Sequence, residues 1–173
     1  PLLMTRGVPG THDIDLMLSF FKKIKDKNFK SLQIPTFNKA IDDRYSKNLW
    51  HKIKIKPDVV IFEGWCVGAR PQLNSEIKKP VNSLEKVYDQ GVKWRVHVNN
   101  QLKTKYKTLF NQLDGLLYLK AKNFNLLREW RLKQERKLWA QTKNKKNLKI
   151  MSSGDVINFM QTYQRITQQM FKD

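Results

Sequence analysis

The sequence has little cysteine, few histidines and no long apolar run, and each shortage excludes a class of protein. Its single cysteine, Cys66, can form no disulfide within the chain, so we expect a reducing, cytoplasmic setting. Three histidines and one cysteine, scattered along the chain, match no zinc-ligand spacing. The longest apolar runs, such as residues 59–62, are far too short to cross a bilayer, so no membrane partner is predicted.

Acidic residues are scarce relative to basic ones, which gives the chain an extreme positive charge. Asp and Glu number 15 against 34 Lys and Arg, a net charge of +19. Such a charge attracts any polyanion, including nucleic acid and nucleotide phosphates. Much of the excess is lysine mixed with asparagine, as in residues 142–147, without the interleaved glycine or aromatic residues that favour a nucleic-acid site. A solvated surface is the favoured interpretation, and a nucleic-acid partner stays open as the alternative.

The size and the beginning of the chain bear on its domain organisation. With 173 residues and 40% hydrophobic content, it has enough apolar side chains for one ordinary core. Its first residues do not resemble the start of a protein, because Met4 is internal and no signal peptide is recognisable. We therefore expect residues 1–173 to form a single partial domain, with further sequence upstream.

Hydrophobic spacing predicts several helices. Residues 13–27 carry apolar side chains at helical intervals, with Thr11 or Asp13 available as a cap. Residues 82–110 are mostly helical in pattern, with a break near Gly91, and residues 124–142 form another charged helix. A capping box at residues 152–155 opens a final helix that runs through Met170.

Three short apolar segments predict strands. They are residues 31–34, which Pro35 stops, and the buried-type runs 58–62 and 114–119. Runs of this kind suit strands that are buried on both faces of a parallel sheet. The alternation with helices predicts an α/β fold in which helices flank a parallel sheet.

Glu63 places one carboxylate at the end of the second apolar run and is followed by Gly64. Ligands of α/β proteins bind at the carboxyl ends of the strands. In nucleotide-dependent kinases an acidic residue at such an end helps to hold Mg²⁺. The alternative is that Glu63 caps a turn or pairs with a lysine.

Two loops carry candidate anion-binding groups. Residues 6–13 combine two glycines and a proline with His12, Asp13 and a helix start, and their backbone amides suit an anion. The alternative is an ordinary turn in which His12 and Asp13 make local hydrogen bonds. Residues 34–44 add Lys39 and Arg44, whose planar fork suits a carboxylate or phosphate unless it is simply solvated.

Cationic side chains also share one face of the predicted helix 124–142. Arg128, Arg131 and Glu135 follow the spacing of three and then four residues that aligns side chains along a helix. Guanidinium groups in such a row can neutralise the charge of a transferring phosphoryl group. The alternative is a set of exposed ion pairs that contribute little.

Taken in order, these segments resemble the D-glycerate 3-kinase family, P-loop kinases related in fold to uridine kinase, phosphoribulokinase and pantothenate kinase. The most specific stretches are Arg-Gly-Val-Pro-Gly-Thr-His-Asp at 6–13 and Phe-Glu-Gly-Trp-Cys-Val-Gly at 62–68. The other matching stretches are residues 1–3, 34–44 with Trp50, 80–82 with 84–85, 94–95, 130–131 with 134–135, and Phe159 with 163–167.

The resemblance implies an ATP-dependent and Mg²⁺-dependent transfer of the γ-phosphoryl group to a hydroxyl of a small acid such as D-glycerate. It implies that Glu63 is the acidic residue near Mg²⁺. It places His12, Asp13, Lys39 and Arg44 around the acceptor, and Arg128 or Arg131 in a lid over the phosphates.

The chain lacks the phosphate-binding loop that such a kinase needs. None of its seven glycines is followed by lysine, so Gly-x-x-x-x-Gly-Lys-Ser/Thr does not occur. The family pattern also has an aspartate and a serine where Asn38 and Ala40 stand here. We therefore expect the chain to be inactive alone and to need an upstream P-loop segment or a companion chain. The alternatives are a non-catalytic basic protein that binds polyanions on a kinase scaffold, and a decayed gene product.

Overall fold

The computed structural model describes residues 2–4, 6–38, 41, 43–142 and 151–172, with residues 141 and 142 described by their backbone alone. Contacts divide the chain into two compact units. The smaller unit is Asp13–Glu63, and the larger unit joins Pro1–His12 to Gly64–Asp173. Each unit has its own buried side chains.

The smaller unit is built on helix α1, Ile14–Lys25. The side chain of Asp13 caps the helix by accepting a hydrogen bond from the Leu16 N–H at 3.1 Å. Ile14, Phe21 and Ile24 recur at helical spacing and are buried. Phe21 also meets the ring of Phe62 edge to face, with 5.5 Å between the ring centroids.

Two short antiparallel ladders complete the smaller unit. Strand β1, Leu32–Ile34, pairs with β4, His51–Ile53, so that Leu32 lies opposite Ile53. Strand β2, Phe37–Asn38, pairs with β3, Asp43–Arg44. A 3₁₀ turn, Lys47–Leu49, leads into β4. Strand β1 confirms the strand that the sequence predicts at residues 31–34.

The larger unit consists mainly of helices, in the order α2 to α7. They are α2 Asn74–Lys78, α3 Ser83–Tyr88, α4 Lys93–Gln101, α5 Lys107–Phe110, α6 Phe124–Thr142 and α7 Ser153–Met170. A π-helical turn, Leu102–Tyr106, connects α4 to α5. Ser152 and Asp155 form the predicted capping box of α7. The helices predicted from spacing and caps are therefore confirmed, including the break near Gly91.

A buried network of ion pairs holds the helices of the larger unit together. The carboxylate of Glu85 on α3 is fully buried and receives two hydrogen bonds of 2.7 Å from Arg165 on α7. Arg95 on α4 lies 3.9 Å from the same carboxylate and pairs with Asp89 at 2.8 Å. The Arg95 guanidinium also donates to the main-chain carbonyls of Ile77, Lys78 and Asp89. The Arg165 guanidinium also donates to the main-chain carbonyls of Glu76 and Lys79. Since buried charges need such complete pairing, the network fixes the positions of three helices and the α2–α3 connection.

The two buried strands predicted at residues 58–62 and 114–119 are wrong for this structure. Neither segment belongs to a strand, and the ladders in the described part of the chain are antiparallel, so the predicted parallel sheet does not appear there. Ile61 is 86% exposed and Leu117 is 85% exposed. A strand needs a neighbour to pair its backbone N–H and C=O groups, and these segments have apolar strand-like sequences but no neighbouring strand among the described residues.

Within the described ranges, no helix combines the length and the apolar character that crossing a bilayer requires. The longest helices, α6 and α7, carry charged and amide side chains along much of their length.

We expect Glu85→Gln to lower the free energy of unfolding by about 3–5 kcal/mol, because it leaves Arg165 and Arg95 buried with less compensating charge. Urea unfolding followed by circular dichroism measures the change. Glu129→Gln on the exposed surface of α6 is the matched control and should leave the midpoint unchanged. A Glu85→Gln midpoint equal to that of the control would contradict the role of the network.

We also expect the chain to associate or precipitate through its exposed apolar segments, because unpaired apolar strand sequences add to other chains. Ile61→Lys combined with Leu117→Lys should shift sedimentation-velocity profiles toward monomer. Val87→Lys, at another exposed apolar position but within helix α3, is the control and should not. A wild-type chain that sediments as a soluble monomer would refute this expectation.

Candidate functional site

The loop of residues 6–12 is held in shape by its own threonine. The Gly7 N–H donates to Thr11 Oγ1 at 2.8 Å, and the same hydroxyl donates to the Val8 carbonyl at 2.7 Å. Val8 and Pro9, which belong to the loop, are buried. The loop therefore presents fixed backbone groups.

Trp65 and Tyr163 join this loop to residues 64–68. Trp65 Nε1 donates to the Gly7 carbonyl at 2.8 Å, and the Tyr163 hydroxyl donates to the Arg6 carbonyl at 3.3 Å. The two rings meet edge to face at 4.9 Å. Residues 6–12 and 64–68, parts of the two most specific sequence stretches, thus lie together in the larger unit, although they are more than 50 residues apart in sequence.

Two glycines in these loops occupy positions that another residue would strain. Gly10 has φ +100°, and a Cβ there would lie 2.7 Å from Nε2 of His97. Gly68 has φ +81°, and its Cβ would lie 2.5 Å from Leu116. Only glycine combines such backbone angles with such close neighbours at little cost, so both loops depend on it.

His12 ends the first loop and is bound to Tyr106. Its Nδ1 lies 2.6 Å from the Tyr106 hydroxyl, which also accepts a hydrogen bond from the Gly10 N–H at 3.0 Å. Burial, followed by the nearby charge of Arg6, lowers the pKa of His12 below its ordinary value. Burial raises the pKa of Tyr106 to about 12. Both side chains are therefore neutral near pH 7.

Cys66, in the second loop, is buried and chemically quiet. Burial raises the pKa of its thiol to about 12. Because the thiolate is the reactive form, Cys66 is not a nucleophile at neutral pH. It packs as a small apolar side chain.

Asp13 and Arg44, both predicted to lie near the acceptor, form an ion pair in the smaller unit. Arg44 Nη1 donates to Asp13 Oδ2 at 2.8 Å, and both side chains are about half exposed. The other oxygen of Asp13 caps α1, so both carboxylate oxygens are engaged. Lys39, the third residue predicted near the acceptor, lies outside the described residues.

Glu63 is exposed and follows an irregular segment instead of a strand. Among the described residues, no group of three His, Cys, Asp or Glu side chains could hold a metal ion. A single exposed carboxylate still fits Mg²⁺, because this ion is usually held by one or two carboxylates together with substrate phosphates. The metal assignment of Glu63 thus stays a prediction.

Arg131 on α6 is engaged with its neighbours. It pairs with Glu135 one turn along, donates to Gln134 at 2.6 Å and lies 5.9 Å from the ring centre of Phe159. Its Nε is buried and has no hydrogen-bond partner among the described residues. Arg128, one turn earlier, is half-buried. The predicted alignment with Glu135 is therefore confirmed, while the role of both arginines in a lid stays a prediction.

The residues present do not fit the triphosphate of ATP. The chain has no glycine-rich loop followed by lysine, and the backbone amide of Gly7 in loop 6–12 is bound to Thr11. The loop 6–12 is therefore not a cradle for the triphosphate, and no step through ATP is assigned to it.

No protein-family model matches the chain. Similarity to individual proteins is nevertheless extensive. The chain is 31% identical over 169 residues to the uncharacterized kinase mug58 of Schizosaccharomyces pombe, covering 94% of this chain and 58% of that protein. It is 27% identical to the chloroplastic D-glycerate 3-kinase of Arabidopsis thaliana, covering 78% of this chain and 28% of the kinase. It is 28% identical to the probable ATP-dependent kinase TDA10 of Saccharomyces cerevisiae, covering 79% of this chain and 47% of that kinase.

The fold agrees with the sequence comparison. The solved D-glycerate 3-kinase of Cryptococcus neoformans superposes with a TM-score of 0.75 at 26% identity, over 98% of this chain and 59% of the kinase. The solved YGR205w protein superposes with a TM-score of 0.69 at 27% identity, over 99% of this chain and 56% of that protein. The chain belongs with D-glycerate 3-kinase and its related kinases. It spans between about a quarter and three fifths of the length of these kinases.

The stretches of this chain that resemble the kinase family include structural residues. Several matched positions are structural, since Glu85, Arg95 and Arg165 form the buried ion network. Tyr106, which contacts His12, was missed by sequence reasoning. Its partners lie 94 and 96 residues away, so no local signal could have found it.

We expect Cys66 to resist iodoacetamide in the folded chain at pH 8, because a thiol with a pKa of about 12 is almost entirely protonated there. Alkylation in urea, where the thiol regains an ordinary pKa, should be faster by about a thousandfold. Mass spectrometry of the intact chain over time measures both rates. Equal rates in the two conditions would show that Cys66 is accessible and reactive.

Proposed function

We propose that this chain is part of an ATP-dependent and Mg²⁺-dependent kinase that phosphorylates D-glycerate, and that residues 1–173 form one partial kinase domain. The observation that carries the proposal is the assembly of the loop 6–12 with the loop 64–68 through Trp65 and Tyr163. Similarity to D-glycerate 3-kinases over most of the chain supports it. A reducing cytoplasmic setting suits the single buried thiol.

In this proposal the chain supplies the acceptor side of the reaction. His12 offers a ring nitrogen to the acceptor acid, and Arg44, positioned by Asp13, offers a guanidinium to its carboxylate. Lys39 adds a further positive charge near the acceptor. Positioning the acceptor is a large part of the catalysis of phosphoryl transfer, because the reaction depends on positioning and charge neutralisation.

The phosphate side of the reaction is assigned to three residues and to a further segment. Glu63 would help to hold Mg²⁺, an ion that would supply positive charge beside the phosphates of ATP. Arg128 and Arg131 neutralise charge on the transferring group. The P-loop comes from an upstream segment or a companion chain. Pairing with that segment would also build the parallel sheet, using the exposed apolar residues 59–61 and 116–119.

A second candidate function is binding of polyanions without catalysis. Helix α6 exposes Trp130 by 54% and Trp139 by 57%, and the cationic residues Lys133, Arg136 and Lys137 lie between them. Aromatic rings interleaved with cations suit single-stranded nucleic acid. Binding of this kind weakens steeply as salt rises and has no preference for ATP or glycerate.

The kinase proposal predicts ATP consumption that depends on a P-loop segment and on Glu63. We would measure ADP release with D-glycerate and Mg²⁺ from the chain alone and from the chain joined to a P-loop-bearing segment of a related kinase. Activity is expected only in the joined protein, and Glu63→Ala should reduce its kcat at least tenfold. Asp58→Ala, at the exposed start of the same apolar segment, is the control and should retain activity.

Each other outcome has a distinct meaning. Turnover by the chain alone would refute the need for a P-loop. A joined protein that binds ATP but does not respond to glycerate would refute the acceptor assignment. Salt-sensitive binding of oligonucleotides by an inactive joined protein would favour the second candidate function.

A further inference from the structure

The hydroxyl of Tyr106 lies between two groups of the loop that ends at His12. It is 3.0 Å from the backbone nitrogen of Gly10 and 2.6 Å from Nδ1 of His12. Tyr106 is only 2% exposed. The backbone of His12 also acts on this hydroxyl as a donor, and within the described part of the chain Nδ1 of His12 is the acceptor found beside it. The question is which atom carries the proton between Tyr106 and His12.

The number of protons decides the direction of this hydrogen bond. A tyrosine hydroxyl has one proton to donate, and its oxygen can accept. The Gly10 N–H can only donate, so it uses the accepting capacity of the oxygen. If His12 Nδ1 also donated, the hydroxyl proton would be left buried without an acceptor, which is costly. If the hydroxyl donates to Nδ1 instead, every donor and acceptor in the group is satisfied.

We propose that Tyr106 is a positioning residue, whose hydroxyl donates its proton to His12 Nδ1 and thereby fixes His12 as the tautomer that carries a proton on Nε2. His12 then meets a ligand as a hydrogen-bond donor. The identity of that ligand, an oxygen of the acceptor acid, rests on the proposed function. The tautomer itself rests only on the geometry.

The electrostatic surroundings agree with a neutral pair. Burial and the charge of Arg6 lower the pKa of His12, and burial raises the pKa of Tyr106 to about 12. The other titratable groups nearby are Cys66, whose burial keeps it protonated, and His97, which lies against Gly10. None of these groups supplies a negative charge that would favour a protonated His12, and the carboxylate of the next residue, Asp13, is paired with Arg44.

Local structure fixes the hydroxyl in place. Tyr106 is the last residue of the π-helical turn Leu102–Tyr106, a rare conformation that is often found at functional sites. Its ring packs edge to face on Phe110 at 5.9 Å. Leu109, three residues after Tyr106, is also fully buried. The hydroxyl is therefore held rigidly beneath the loop.

This tautomer restricts what His12 can do. A neutral ring with a proton on Nε2 and an occupied Nδ1 has no free lone pair, so it cannot accept a proton from the acceptor hydroxyl. His12 is thus suited to orienting the acceptor and unsuited to acting as a general base.

Long-range ¹H–¹⁵N NMR spectra of the ¹⁵N-histidine-labelled chain test the proposal without ATP or any activity. His12→Gln identifies the His12 signals among the three histidines. In the wild-type chain at pH 7.5 we expect Nε2 to carry the proton and Nδ1 to be unprotonated. A neutral His12 with its proton on Nδ1 would overturn the proposal, even if no variant could be studied.

Tyr106→Phe removes the hydroxyl and keeps the ring in the core. Losing a donor to the neutral ring should raise the pKa of His12 by about 0.5–1 unit and allow both tautomers to be populated. Tyr88→Phe, at a tyrosine that is 75% exposed, is the matched control and should change neither. A His12 tautomer and pKa that stay the same in a folded Tyr106→Phe chain would count against the role of the hydroxyl.

Adding D-glycerate separates this inference from the proposed function. If glycerate shifts the His12 Nε2 signal of the wild-type chain, the donor role toward the acceptor is supported. If the tautomer is as expected and glycerate has no effect on it, the acceptor assignment fails while the positioning role of Tyr106 stands.

Discussion

The buried carboxylate of Glu85 is the interaction on which the larger unit depends. It lies on one short helix, α3, and two guanidinium groups from other helices, Arg165 and Arg95, converge on it. A charge buried this deeply is stable only when its partners are all in place, so the three helices can assemble in one arrangement. The same α7 that carries Arg165 carries Tyr163, which packs on Trp65 and binds the loop 6–12. The loops 6–12 and 64–68 thus contact a helix whose position the ion network fixes.

Local chemistry in the sequence was enough to predict the helices. Asp13 caps α1 and Ser152 caps α7, and each cap is a hydrogen bond between residues three apart, so its signal is contained in a few letters of sequence. The apolar runs 59–62 and 116–119 carried an equally strong local signal for strands, yet the structure has none there. Strand formation depends on a partner that the local sequence does not contain. The fold was predictable where structure is local and not where pairing is needed.

The candidate site was likewise predictable where its signal is local in sequence and not where it depends on distant residues. The loops 6–12 and 64–68 were recognisable from their motifs, and Asp13 and Arg44, each predicted near the acceptor, form an ion pair whose role in binding stays a prediction. The sequence did not indicate that Trp65 would join the two loops, or that Tyr106 would bind His12. These contacts join residues 58 and 94 positions apart, and one of them comes from a π-helical turn that no simple periodicity predicts.

The hydrogen bonds of the site bear on which group takes the proton of the acceptor hydroxyl. His12 has no free lone pair when Tyr106 donates to Nδ1. Asp13 accepts one hydrogen bond from the Leu16 N–H and one from Arg44, which does not exhaust the four lone-pair sites of a carboxylate. A general base needs an accessible lone pair within reach of the proton it removes. His12 is therefore better suited to orienting an acid than to deprotonating an alcohol. A kinase built on this chain would need a base other than His12.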